Sequence, residues 1–130
     1  MRFLSKMTYV DGFVLVVKKT KIKDYEKMAR LGSRIWKKHG ALQYFECIGD
    51  DINPKMAGIK GNSFPKMTKL KKDETVWFSF IIFKSKAHRD AVNAKVMQDP
   101  QMSPAHWKNK PMPFDMKRMS YGGFKTIVEA

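Results

Sequence analysis

Residues 9–17 alternate two apolar sets, Tyr9, Phe13, Leu15 and Val17 with Asp11 among them, and Val10, Val14 and Val16 with Gly12. Period-two spacing that is apolar on both sides predicts a strand covered on both faces. The spacing changes over 21–39, where Ile22, Tyr25, Ala29, Gly32 and Ile35/Trp36 recur at helical intervals. Lys23, Lys27, Arg30, Arg34 and Lys37 hold the opposite side, which predicts an amphipathic helix. Gly40 is a natural stop for it, because a helix end favours the left-handed backbone that glycine adopts freely.

A second strand is expected over 41–48, closed by Gly49-Asp50-Asp51-Ile52-Asn53-Pro54. The third, over 75–83, sets Trp77, Ser79, Ile81 and Phe83 against Val76, Phe78, Phe80 and Ile82, again apolar on both sides. Ser85 predicts an N-cap for a helix reaching residue 98, with Ala87, Ala91 and Ala94 as its packing stripe and Asp99-Pro100 as its end. Residues 101–113, rich in proline and methionine, read as a loop with one helical turn near 105–108. A last strand is expected over 119–128, where Gly122-Gly123 points to a bulge or a close backbone approach.

The order β-α-β-β-α-β predicts an α+β, ferredoxin-like fold: a four-stranded antiparallel sheet with two helices on one face. Two helices cover only one face, yet strands 9–17 and 75–83 are apolar on both. A second copy of the same sheet is the simplest cover, so a symmetric homodimer is expected. The 130 residues fit one domain, 1–130. A hydrophobic content of 43% and a mean hydropathy of -0.47 fit neither a disordered nor a membrane-spanning chain. The longest apolar run, 13–17, is far short of a bilayer span, and no membrane partner is expected. Residues 1–6 are basic, but Asp11 interrupts the apolar stretch that follows and no small-residue cleavage site appears, so no signal peptide is expected. The lone Cys47 has no intrachain partner, which fits a reducing, cytoplasmic setting.

Several motifs occur together and in order: Tyr9-Val10-Asp11-Gly12-Phe13-Val14, His39-Gly40-Ala41-Leu42 leading to Glu46-Cys47, and Gly49-Asp50-Asp51. They are followed by Trp77-Phe78-Ser79-Phe80, Ser85-Lys86 with Arg89-Asp90, Asp99-Pro100, Met112-Pro113-Phe114-Asp115-Met116-Lys117-Arg118-Met119 and Tyr121-Gly122-Gly123-Phe124. From Met7 onward the chain resembles the YbaA-like family, domain of unknown function 1428. The resemblance implies a dimeric α+β barrel, two ferredoxin-like subunits pairing their sheets, and it carries no established activity. Residues 1–6 then look like an extension.

Net charge is +14, and residues 1–72 hold 17 basic against 6 acidic side chains. Residues 54–72 contain six lysines, two prolines, two glycines and no acid, which predicts a long basic loop or an irregular hairpin excursion. Such a surplus suits a polyanion. Lysine, however, is a strongly hydrated point charge rather than a phosphate fork, and a solvated basic surface is the plainer reading. RNA-recognition modules share the topology and stack bases on sheet aromatics such as Trp77, Phe78, Phe80 and Phe83, but their glycine–aromatic signature is missing. Gly58-Ile59-Lys60-Gly61 has the Gly-x-x-Gly form of a KH loop without recognisable helices around it. Nucleic acid is therefore a partner of second choice. No nucleotide-binding glycine loop occurs.

Asp11 is the most informative polar position, since a carboxylate within an apolar strand is costly unless paired. It is either a general base or ligand-orienting group, or one half of an ion pair with Lys117 or Arg118. Glu46 could join it for acid–base work. Cys47 reads as a small core residue, and His39 as a favourable charge partner for a helix C-terminus. His88, His106 and Asp50-Asp51 lack metal-ligand spacing, so no metal or other cofactor is expected. Around Met112 to Tyr121, Arg118 could grip a carboxylate or phosphate and Tyr121 could donate a hydrogen bond; a structural clasp built on Asp115, Phe114 and Met119 is the equal alternative. The expected function is binding of a small molecule between sheet and helices, or a cofactor-free enzyme, monooxygenase- or isomerase-like by analogy alone. Asp11, His39, Glu46, Arg118 and Tyr121 are the candidate pocket residues. The alternatives are a basic nucleic-acid-binding module and a purely structural homodimeric interaction protein.

Overall fold

A computed structural model describes residues 7–55, 58 and 61–130. The expected extension 1–6, and Ile59 and Lys60 of the Gly-x-x-Gly motif, lie outside the described residues. Strand β1 (Tyr9–Lys18) leads through a 3-10 turn into α1 (Ile22–Lys38) and then β2 (Gln43–Ile48). A short helix α2 (Phe64–Thr68) precedes β3 (Glu74–Phe83) and α3 (Lys86–Gln98); α4 (Pro104–Trp107) and β4 (Ser120–Lys125) complete the order. The four strands form one sheet in the order β2-β3-β1-β4, with every neighbouring pair antiparallel.

Alternation decides where the core goes. Leu15 and Val17 of β1 and Trp77 of β3 pack with Tyr25 and Ala29 of α1, while Ile81 and Phe83 pack with Ile35 of α1 and Val92 and Val96 of α3. All five strand residues belong to the odd-numbered set, so both long helices lie on one face of the sheet. In α3 the buried residues are Val92 and Val96, and the expected alanine stripe, Ala87, Ala91 and Ala94, is exposed. The valines bring more apolar area at the same helical spacing, and the alanines serve the solvent side as good helix formers.

The basic stretch departs from a plain loop. Ser63 caps α2 by accepting the Lys66 N–H at 3.2 Å, Pro65 sits in its first turn, and Lys69 ends it in the left-handed region at φ 53°. The last strand is shorter than its pattern predicts. At Gly123, opposite Asp11, an added Cβ would collide with the Tyr9 hydroxyl and ring edge. Gly123→Ala is therefore expected to cost about 1–3 kcal/mol in urea unfolding, the usual range for overpacking; a change within about 0.3 kcal/mol would show that Tyr9 yields freely.

The other face of the sheet is open in the single chain. Phe45, Phe78 and Phe124 are 38%, 43% and 61% exposed, and Phe80 joins Phe45 and Phe78 with ring centroids 4.6 and 5.6 Å away. Cys47, on the same side as Phe45 by strand alternation, is exposed there rather than buried in the core.

Candidate functional site

On the helix side, the sheet, α1 and the segment before β4 border a half-open cavity of about 340 Å³. Its floor is Phe13, Leu15, Ser79 and Ile81 of the two central strands. Tyr25, Met28, Ala29, Gly32 and Trp36 of α1 form one wall, a stripe that the 3.6-residue repeat places on a single side. Met102, Trp107, Met112, Phe114, Met116 and Met119 form the other wall, where unbranched thioethers fit an irregular apolar surface. Tyr44 and Glu46 reach in from β2, two residues apart and hence on one face.

Glu46 is the only carboxylate in this lining. Its Oε1 accepts the Tyr25 hydroxyl at 2.9 Å and its Oε2 the Tyr44 hydroxyl at 2.6 Å. Burial pushes its carboxyl above the usual range, and the two hydroxyl donors oppose that rise without cancelling it. Burial, with the Glu46 charge added, drives both phenols well above their ordinary value, so they act as donors and not as phenolates. The Trp77 indole N–H is buried without an acceptor in hydrogen-bonding geometry, yet it lies close enough to Glu46 to favour the ionised form.

The sign of the pH dependence follows. A carboxyl whose folded pKa is raised costs stability when ionised, and that cost fades as pH falls through the folded value towards the ordinary ~4.3. Glu46→Gln should therefore gain stability relative to the parent at pH 8, with the difference shrinking on acidification to pH 4. Urea unfolding at the two pH values measures it; a difference that grows towards acid would refute the raised carboxyl.

The five residues expected to share a pocket are spread out. Glu46 lines the cavity, and Asp11, His39, Arg118 and Tyr121 do not. Asp11 shares the helix-side face with Glu46 by register, but α3 holds it: Arg89 donates to it at 2.8 Å and Asn93 at 3.5 Å. Its ion-pair partner is thus Arg89, which also lies over the Tyr9 ring, and neither Lys117 nor Arg118. Desolvation still raises the Asp11 carboxyl against the pull of Arg89.

His39 meets Asp99 at 2.8 Å just past the end of α1. That contact, the Gln101 N–H and Lys38 lower the Asp99 carboxyl to about 2. Arg118 grips Glu74 with both terminal nitrogens, at 2.5 and 3.1 Å. Tyr121, 73% exposed, stacks on Phe13 at 6.1 Å. Asp115 accepts the Lys117 N–H at 2.9 Å, and Phe114 and Met119 pack against the core.

Tyr25 and Tyr44 are the cavity residues that the sequence pattern hides. Tyr25 lies on the apolar stripe of α1, where it reads as core, and only the same-face spacing of Tyr44 and Glu46 marked a polar inward pair. Among the described residues no group of three or more His, Cys, Asp or Glu side chains could hold a metal ion, and no helix is long and apolar enough to cross a membrane.

Comparison with known proteins places the chain without assigning it an activity. The model of a family described as "Protein of unknown function (DUF1428)" matches residues 8–116. The uncharacterized protein YbaA of Escherichia coli K12 is 41% identical over 123 residues, covering 95% of this chain and 99% of that one, and YbaA of Shigella flexneri matches equally. A crystal structure of a dimeric ferredoxin-like protein from an uncultured marine organism superposes with a TM-score of 0.59 at 11% identity, over 96% of this chain and all of that one. The likeness shows a ferredoxin-like α+β fold.

Proposed function

As the chain belongs to the DUF1428 family, whose members lend it no activity, we propose from geometry that it binds a small, largely apolar molecule in the cavity between sheet and helices, with Glu46 as the polar anchor. The observation that carries this is a single half-buried carboxylate, held by two tyrosines, in a mostly apolar and aromatic cavity of ligand size. If chemistry follows binding, Glu46 is the base such a site offers: a carboxylate with a raised pKa takes a proton from a bound acid more readily than an ordinary one. No cofactor enters that step.

The test is calorimetric titration with a neutral aromatic probe, 2-phenylethanol, into the native chain and into Ala29→Phe. Ala29 is buried against the cavity, so the added ring fills it. Binding to the native chain and its loss in a folded Ala29→Phe variant is the expected result. Equal heats in both would place the ligand elsewhere.

The same reading includes a homodimer with the two sheets face to face, giving a dimeric α+β barrel. Its support is the exposed ring cluster of Phe45, Phe78 and Phe80, with Phe124 beside it on the same face, together with the dimeric state named for the structurally similar marine protein.

A further inference from the structure

Resting on the cavity-binding reading above, we infer that the natural ligand is an organic cation: an ammonium on an apolar, ring-sized body, its N–H groups directed at Glu46. The first support is a contrast among the carboxylates of the helix-side face and its ends. Asp11 is paired with Arg89, Glu74 with Arg118, and Asp99 with both Lys38 and His39. Glu46 is half-buried where the other three are buried, and no Lys, Arg or His lies within salt-bridge distance of it among the described residues. It is also the one of the four that lines the cavity described above. An anion partly withdrawn from water without a counter-charge is costly, and a ligand cation supplies what the described chain omits.

The composition of the walls points the same way. Among the described residues, no lysine or arginine lines the cavity. In a protein of net charge +14, the described lining of this space thus holds no cation, which disfavours carboxylate or phosphate ligands there. Tyr25, Trp36, Tyr44 and Trp107 present their rings to it instead. Aromatic faces attract a desolvated ammonium through their quadrupoles, and the attraction is strongest for indole. The Glu46 oxygens each accept one tyrosine hydroxyl, and an ionised carboxylate has lone pairs left for N–H donors from the ligand.

Three probes of one shape make the test: phenethylammonium, neutral 2-phenylethanol and anionic phenylacetate, each titrated calorimetrically into the native chain and into Glu46→Gln. The cation should bind at least about tenfold more tightly than the alcohol, in the range that a charge-assisted bond adds, and the anion more weakly than either. Glu46→Gln should erase the cation's advantage over the alcohol. A second readout needs no variant. The amine stays charged well below its own pKa, near the ~10.4 of lysine, so its affinity for the native chain should fall as acid protonates Glu46, and that of the alcohol should not. Binding of the alcohol with no preference for the cation overturns this inference and leaves the cavity reading intact. Failure of all three probes to bind overturns both.

Discussion

Arg118→Ala is expected to lower the unfolding free energy by about 2–4 kcal/mol, towards the lower part of the range for breaking a buried ion pair because the arginine itself is partly exposed. The Glu74 side chain at the start of β3 is buried, and after the substitution its remaining partner among the hydrogen bonds of the site is the Lys71 N–H at 2.8 Å. Arg118 also donates to the carbonyls of Thr68 and Lys69 at 3.0 and 3.2 Å, the last residues of α2 and its left-handed cap. One guanidinium thus ties the turn before β4 to the end of the basic excursion and to the central sheet. Truncation leaves a buried charge and two carbonyls to find water.

The pH dependence gives this prediction a second arm. The Arg118 guanidinium holds the Glu74 carboxyl below the usual range. A depressed folded pKa contributes stability that is complete above the unfolded value of ~4.3 and is lost as pH falls through the folded one. Arg118→Ala should therefore remove part of the acid-side loss as well as lowering stability at pH 7. Urea unfolding at pH 7 and pH 3 measures both, and a double-mutant cycle with Glu74→Gln isolates the pair. A cost under about 0.5 kcal/mol at pH 7 would mean that the clasp is ornamental.

Alternation made the sheet legible. In β1 and β3 it assigned Leu15, Val17, Trp77, Ile81 and Phe83 to one side and Phe78 and Phe80 to the other, because a strand offers no other way to place neighbouring side chains. Ser85 could be placed as an N-cap because its chemistry is local: its hydroxyl accepts the His88 N–H at 3.1 Å. The ion pairs resisted, since partner choice is a long-range matter. Asp11 reads from the sequence as a partner for Lys117 or Arg118, and the residue that packing brings to it is Arg89, 78 residues away on α3. The cavity was hidden for the same reason. Its thioether wall comes from 102–119, a stretch with no periodicity of its own, and the tyrosine pair around Glu46 joins a helix to a strand. Arg118 and Tyr121, close in sequence, face different neighbours because a 3-10 turn over Met116–Arg118 ends between them.

Phe78→Asp is expected to convert a dimer of about 30 kDa, twice the 15.1 kDa chain mass, into a monomer. Phe78 is already 43% exposed in the single chain and lies in the open ring cluster, so a carboxylate there burdens the fold little. In the proposed sheet-to-sheet dimer, the two-fold axis brings the substituted patches together, and a pair of charges would have to be stripped of water among phenylalanines. Light scattering at low and moderate salt measures the effect. An apolar interface should be insensitive to salt, whereas an association held by the basic surface would weaken as salt rises. Cys47 provides an internal probe, because it lies on the same open face as Phe45. Its reaction with a thiol reagent should be slow in the native dimer and fast in Phe78→Asp. A native chain that scatters as a 15.1 kDa monomer would refute the paired sheets. It would also leave a basic protein displaying stacked phenylalanines to water, the arrangement on which single-stranded nucleic acid is bound.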